Sequence, residues 1–195
     1  MKTIDQILKI KATVLYILKQ IPEGVDYIHL FKMMYFAQQE HLVRYAMPIV
    51  DDSFMARKHG PVAALTYKVL RSVEGKVDVT DECLRDFANS ISISMVDGHQ
   101  VVRIAEGADC DMDELSKSNL KVLDKWIKSC KDINSFDLSD LSHDEAWEAA
   151  KAKTDLTGED TKITLYDMAK AAGANDVMLG VIRERQINSQ SLQWI

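Results

Sequence analysis

Residues 26–46 constrain the fold more than any other stretch of this chain. Stepped at about 100° per residue, Ile28, Phe31, Met34, Tyr35, Leu42 and Tyr45 share one broad apolar face, the pattern of an amphipathic helix. His29, Lys32, Gln39, Glu40 and Arg44 fall opposite. Two residues break the pattern. Gln38 lies in the middle of the apolar face, where a buried amide needs hydrogen-bond partners. Phe36 lies in the middle of the polar face, where an aromatic ring needs a covering neighbour or stays exposed. Such a helix belongs at the centre of a domain, covered on nearly all sides. The chain is long enough to do this, since about 150 residues or more bury roughly 70% of their unfolded surface without a disulfide or metal staple. This one has 195.

The flanking segments supply the cover. Residues 3–20 read as a helix opened by a capping box at Thr3 and Gln6, with Ile4, Ile7, Leu8, Val14, Leu15, Leu18 and Ile21 on one side. Pro22 and Gly24 end it. Residues 49–60 look extended. Gly60-Pro61 then reads as a helix start, because proline at a first helical position leaves no N–H unpaired. That helix runs to about Val73 over Val62, Leu65, Val69 and Leu70, and another follows near 80–89. Residues 91–104 form a hairpin turning at Asp97-Gly98, which pairs Ile91 with Ile104, Ile93 with Val102 and Met95 with Gln100. Ser92 and Arg103 share its other face. A lone hairpin is marginal in water, so it must pack on helices or pair with the extended stretch before Gly60.

Beyond the acidic loop Ala105–Asp113, Asp111 and Glu114 are placed to cap a helix to about Cys130, with Leu115, Leu120, Leu123 and Ile127 inward. Ser142 and Glu145 form a second capping box, opening a helix through Trp147 to about Lys153. Helices at about 162–172 and 176–185 follow, separated by Gly173, and the tail ends Leu192-Gln193-Trp194-Ile195. The expected fold is α+β: a predominantly helical single domain with a small antiparallel hairpin or sheet.

Charge and composition narrow the function. Thirty acids against 24 Lys and Arg give a net charge of -6. Nucleic-acid binding needs clustered cations to neutralise phosphates, and an acidic average argues against it. Cys83, Cys110 and Cys130 are odd in number and widely spaced, with no C-x-x-C pair, and read as free thiols of a reducing compartment. No apolar run has signal-peptide or membrane-spanning length, so the expectation is a cytoplasmic protein.

Chemistry is sparse. There is no glycine-rich phosphate loop and no H-E-x-x-H helix. Ser118-Asn119-Leu120-Lys121 matches S-x-x-K but lies inside an amphipathic helix. His143, flanked by acids, is the candidate base of a hydrolase, against a plain surface role beside a helix cap. Asp51-Asp52 and the acids from Asp109 to Glu114 are the candidates for a divalent cation, against ordinary solvated loops. No ligand set emerges, and the reading is of a protein without metal or cofactor that is not an enzyme.

Three segments carry a family resemblance. Lys32-Met33-Met34-Tyr35-Phe36-Ala37-Gln38, followed by Met47-Pro48-Ile49, is similar to a K-L-L-Y-F-A-Q helix. Phe54 to Val62, with Gly60-Pro61-Val62 and then Tyr67, is similar to A-x-x-x-G-P-V-x-x-x-Y. Leu141-Ser142-His143-Asp144-Glu145-Ala146-Trp147 is similar to L-S-H-x-E-x-x-W, with Trp147 one residue early. Together they resemble the Panacea domain of SocA-like antitoxins and phage-associated bacterial proteins. The resemblance spans roughly residues 5–155, making 1–155 the family-like domain and 156–195 helices packed on it.

The resemblance implies an antitoxin that binds and neutralises a toxin encoded beside it. It also implies an alternative as a proteolytic adaptor to an energy-dependent protease, or as a phage-associated regulator of a host protein. Read as folding signals, Lys32, Tyr35, Gln38, Gly60, Pro61, Tyr67, Ser142, His143, Glu145 and Trp147 describe the scaffold. Phe36 and the basic Arg57-Lys58-His59 stretch are then the candidate anchors for a protein partner.

Overall fold

The computed structural model describes residues 3–191, which places Leu192-Gln193-Trp194-Ile195 outside the described residues. Helix α1 (Ile4–Gln20) starts as expected. The Gln6 N–H donates to the Thr3 hydroxyl at 3.3 Å, and the Thr3 N–H donates to the Gln6 side chain at 2.9 Å. A two-residue strand β1 (Val25–Asp26) leads into α2 (Tyr27–Tyr45), whose first turn is capped by Asp26. Every residue of α2 from Leu30 to Gln39 is buried. The expected polar face is therefore corrected at Lys32 and Gln39, which are inside. The reason is packing: α1 and the helices at 117–130, 135–141, 165–171 and 176–191, with the strands at 54–57 and 60–63, surround the helix.

The stretch after α2 departs most from expectation. Residues Phe54–Arg57 (β2) pair with Gly60–Ala63 (β3) in a tight antiparallel hairpin, with Arg57 opposite Gly60 and Ala56 opposite Pro61. Gly60-Pro61 is thus a strand, not a helix start. Gly60 has a φ of +95°, which glycine tolerates and other residues rarely adopt. Pairing back also buries Phe54, Ala56 and Ala63. Helix α3 (Ala64–Val73) begins three residues later and is capped from a distance. Its Leu65 and Thr66 N–H groups donate to the buried Asp52 carboxylate at 2.9 and 3.0 Å.

After α4 (Glu82–Asn89), strands β4 (Ile91–Val96) and β5 (His99–Ile104) pair in the expected register, Ile91 opposite Ile104 and Ile93 opposite Val102. Asp97 and Gly98 both have positive φ, as this turn requires. The third strand of the sheet is β1, giving the order β1-β5-β4, so the hairpin does not pair with the stretch before Gly60. It packs on α1, α3 and α4.

Asp111 caps a single 3-10 turn, Met112–Glu114. Helix α5 (Lys117–Cys130) has its own capping box at Ser116 and Asn119, which corrects the earlier expected start. A short helix α6 (Ser135–Leu141), not foreseen, precedes α7 (Glu145–Thr157). The cap of α7 is Asp144, which accepts the Trp147 N–H at 2.9 Å. Ser142 is instead buried and donates to the Ser139 carbonyl at 2.6 Å, and Glu145 is exposed. Helices α8 (Leu165–Ala171) and α9 (Asp176–Ser191) close over the far side of α2. Among the described residues, no helix is long and apolar enough to cross a membrane.

Gln38 is fully buried and satisfied. Its amide donates to the Val50 carbonyl at 2.9 Å, and its oxygen accepts from the Ile49 and Val50 N–H groups at 2.8 and 3.2 Å. The side chain therefore fixes the path of the chain leaving α2. Gln38→Leu strips partners from three buried backbone groups, each costing about 1–3 kcal/mol when left unpaired. The expected outcome is a lower urea midpoint at unchanged m-value.

Candidate functional site

The three motif segments meet around one buried side chain. Lys32 is 1% exposed, and its ammonium donates to the Pro61 carbonyl at 3.0 Å. A side chain at position 60 would collide with the Ser142 hydroxyl and with Lys32, so Gly60 is required for closeness as well as for its φ. Trp147 donates its indole N–H to the Arg57 carbonyl at 3.0 Å, and the Ser139 hydroxyl donates to the His59 carbonyl at 3.1 Å. The tip of the β2–β3 hairpin is thus bolted to α6 and α7 through its carbonyls. One turn along α2, Tyr35 donates to Asp144 at 3.0 Å and Gln39 donates to the same carboxylate at 2.6 Å. Burial and the Asp144 charge hold the Tyr35 phenol protonated, well above its ordinary value.

His143 belongs to this cluster. Its ring stacks on Trp147 at 3.7 Å between centroids and 12° between planes. Its Nε2 is buried without a hydrogen-bond partner, and Asp140 stands 4.0 Å from Nδ1. Burial, aided by the Lys32 charge, pulls its pKa below the ordinary histidine value. That is the environment of a packing histidine. A general base needs a reachable proton and an orienting partner.

Three of the acids offered as cation ligands are otherwise engaged. Asp52 caps α3, Asp109 pairs with Lys19 at 2.7 Å and Asp111 caps the 3-10 turn. Among the described residues, no group of three or more His, Cys, Asp or Glu side chains is placed to hold a metal. Ser118 of the S-x-x-K match sits near His41. The His41 ring meets the Met47 carbonyl at 2.6 Å through Nδ1, and Asn119 and Ser118 at 3.1 Å each through Nε2. This locks α2 to α5.

Phe36 does not stand exposed on a polar face. It is 8% exposed and stacks on Trp126 of α5 at 4.9 Å between centroids. Trp126 is held there by its indole N–H, which donates to Glu40 at 2.7 Å. Glu40 also pairs with Lys125 at 2.6 Å and with Arg44 at 2.7 Å. The helical phase is as the sequence gives it, but a second helix covers that side. Phe36 keeps an edge on a groove of about 470 Å³ that also involves Val43 and Leu141.

The basic stretch fares differently. Arg57, Lys58 and His59 border a groove of about 490 Å³ whose apolar lining includes Ile28, Phe31, Val62 and Tyr67. Lys58 and His59 are exposed. Arg57 lies over the Tyr67 ring at 4.4 Å and pairs with Asp160 at 2.7 Å. The structure therefore brings Lys32, Tyr67 and the basic tip to one groove, while Phe36 faces another. Sequence reasoning missed Asp144, Trp126 and Asp160. Asp144 had a local signal, being a preferred cap residue three before Trp147. The other two had none, because their partners lie far away in sequence.

Phe36→Ala removes a buried stacked ring, and truncation at such a site costs about 3–5 kcal/mol. The expected readout is a clear fall in melting temperature. Lys32 gives a pH signature. Burial lowers its pKa to about 7. From there up to the ordinary lysine value, the unfolded chain holds a proton that the folded chain does not. Stability contributed at this site rises with pH, by up to about 1.4 kcal/mol per unit. Lys32→Met removes that slope. Urea unfolding of both proteins at about pH 7.5 and about pH 9 checks it, the wild type gaining relative to the variant.

The Lys32–Pro61, Trp147–Arg57 and Tyr35–Asp144 contacts each tie one motif segment to another, the arrangement expected if the motifs define a common scaffold. The family model described as antitoxin SocA-like, Panacea domain matches residues 30–148, more than half of the chain. No match to the chain was found among curated proteins or among solved structures. The matched span begins in the first turns of α2 and ends just past Trp147, so it contains every residue of the Lys32 cluster. The chain belongs to the SocA-like antitoxin, Panacea-domain family.

Proposed function

We propose that this protein is a non-enzymatic antitoxin that neutralises a protein toxin by binding it directly at the groove beside the β2–β3 hairpin. One observation carries the reading. The hairpin carbonyls are anchored inward, at Arg57, His59 and Pro61, while the Lys58 and His59 side chains stay exposed at the rim of an apolar groove. A rigid tip with an apolar centre and a polar border is how protein-binding surfaces are built, because little ordering entropy is lost on contact. Phe36, covered by Trp126, serves the fold on this reading, and Arg57, Lys58 and His59 serve the partner.

The contact is stoichiometric and needs no reaction. Cationic rim groups raise the rate of encounter and set register, whereas the apolar lining supplies affinity. Occlusion and hand-over to an energy-dependent protease differ in one respect. Occlusion leaves the toxin's lifetime in the cell unchanged, and hand-over shortens it.

The test is co-expression with the adjacent gene. That gene is expected to arrest growth alone and to be harmless beside this protein, with toxin half-life unaltered. The double variant Lys58→Glu/His59→Glu is expected to lose neutralisation while its melting temperature stays within about 2 °C, since exposed substitutions usually change stability by under about 0.5 kcal/mol. Full neutralisation by that variant would move the partner surface elsewhere.

A further inference from the structure

The protein carries net charge -6, yet the groove gathers Arg57, Lys58, His59 and Lys151 against a single lining acid, Asp160. That acid is held in place by backbone. Residues 161–163 run beside β2 as a further strand segment. The Ala56 N–H donates to the Thr161 carbonyl at 2.9 Å, and the Ile163 N–H donates to the Phe54 carbonyl at 2.8 Å. The Thr161 N–H donates to the Thr154 hydroxyl of α7 at 3.0 Å. Asp160 is thereby set in front of Arg57, at 2.9 Å from Nε and 2.7 Å from a terminal nitrogen. The Arg57 guanidinium also lies over the Tyr67 ring, 4.4 Å from its centroid. Both side chains of the pair are about one-third to two-fifths exposed, at 35% and 41%. Such a pair is weak and open to exchange.

We propose that the occupant of the groove is a partner segment in which a carboxylate stands next to an apolar side chain, and that Asp160 is its internal stand-in. The proposal rests on the groove being the partner site. The apolar side chain enters between Phe31, Val62 and Tyr67. The carboxylate takes the place of Asp160 on Arg57, with Lys58 and His59 completing a positive border. Lys151 already pairs with Asp155, which leaves the hairpin tip as the source of free charge. Among the described residues, no ion pair engages Lys58. Asp160 lies beyond the residues matched by the family model, so its competition is a property of this chain's own C-terminal part. It discriminates in favour of partners acidic enough to displace it.

The test uses the full chain, labelled with nitrogen-15, and two acetylated and amidated peptides: Leu-Asp-Phe-Glu and its uncharged analogue Leu-Asn-Phe-Gln. The acidic peptide is expected to shift the amides of residues 56–62 and 67, and to bind at least about tenfold more tightly than the analogue. Asp160→Asn is expected to raise its affinity by up to about fivefold, the worth of one exposed ion pair. Lys58→Glu is expected to lower it. Equal binding of the two peptides, shifts confined to other surfaces, or no shift at millimolar peptide would each overturn the proposal. Failure here is distinct from failure of the antitoxin reading. Neutralisation lost in the Lys58→Glu/His59→Glu variant with no peptide selectivity keeps the groove and discards the carboxylate. Selective peptide binding without neutralisation keeps the carboxylate and discards the toxin.

Discussion

Helix α2 is buried on nearly every side, yet it carries Lys32, Tyr35, Gln38, Gln39 and His41 in its middle. A polar group taken out of water costs free energy unless it finds a partner, and the helix backbone is already satisfied by itself. Each of these side chains must therefore reach another segment. Lys32 reaches Pro61, Tyr35 and Gln39 reach Asp144, Gln38 reaches residues 49 and 50, and His41 reaches Met47 and α5. The positions of the hairpin, the α6–α7 corner and the loop after α2 are consequences of that single constraint. Apolar burial would hold these parts near α2. The hydrogen bonds decide where.

The same constraint explains why a family signature can be strong while saying little about the partner. Lys32, Tyr35, Gln38, Gly60, Pro61, Ser142 and Trp147 face one another or the backbone they hold, and little of them is left for a ligand. Their common product is a rigid platform, from which the side chains of Lys58 and His59 and the lining of the adjacent groove project. The Asp160 segment lies beyond the residues matched by the family model, at the edge of that groove.

Much of the architecture was legible locally. The Thr3–Gln6 cap, the extent of α2, the buried Gln38 and the whole register of the β4–β5 hairpin depend on neighbours in sequence, through 100° periodicity, capping chemistry and the Asp97-Gly98 turn. Where two local signals competed, distance decided. Gly60-Pro61 is a sound helix start in isolation. It became a strand because β2 lay four residues upstream to pair with it, and because Asp52, rather than proline chemistry, served the first turn of α3. Ser142 and Glu145 likewise spell a capping box, but Asp144 caps the helix and at the same time receives Tyr35 and Gln39.

The sequence alone determined most of the helices, the β4–β5 hairpin, their order and the membership of the scaffold in its family, since those follow from short-range patterns and motif spacing, but not β1, the β2–β3 hairpin or α6. Only the tertiary structure decided that Phe36 and Lys32 are inside. Phe36 reads as an outward aromatic until Trp126, ninety residues on, covers it, and Lys32 reads as a surface charge until Gly60 and Ser142 close over it. It also decided that Arg57 is met by Asp160 and backed by Tyr67. Contacts of that range depend on how whole elements pack, and helical periodicity, which sees about two turns in either direction, contains no information about them.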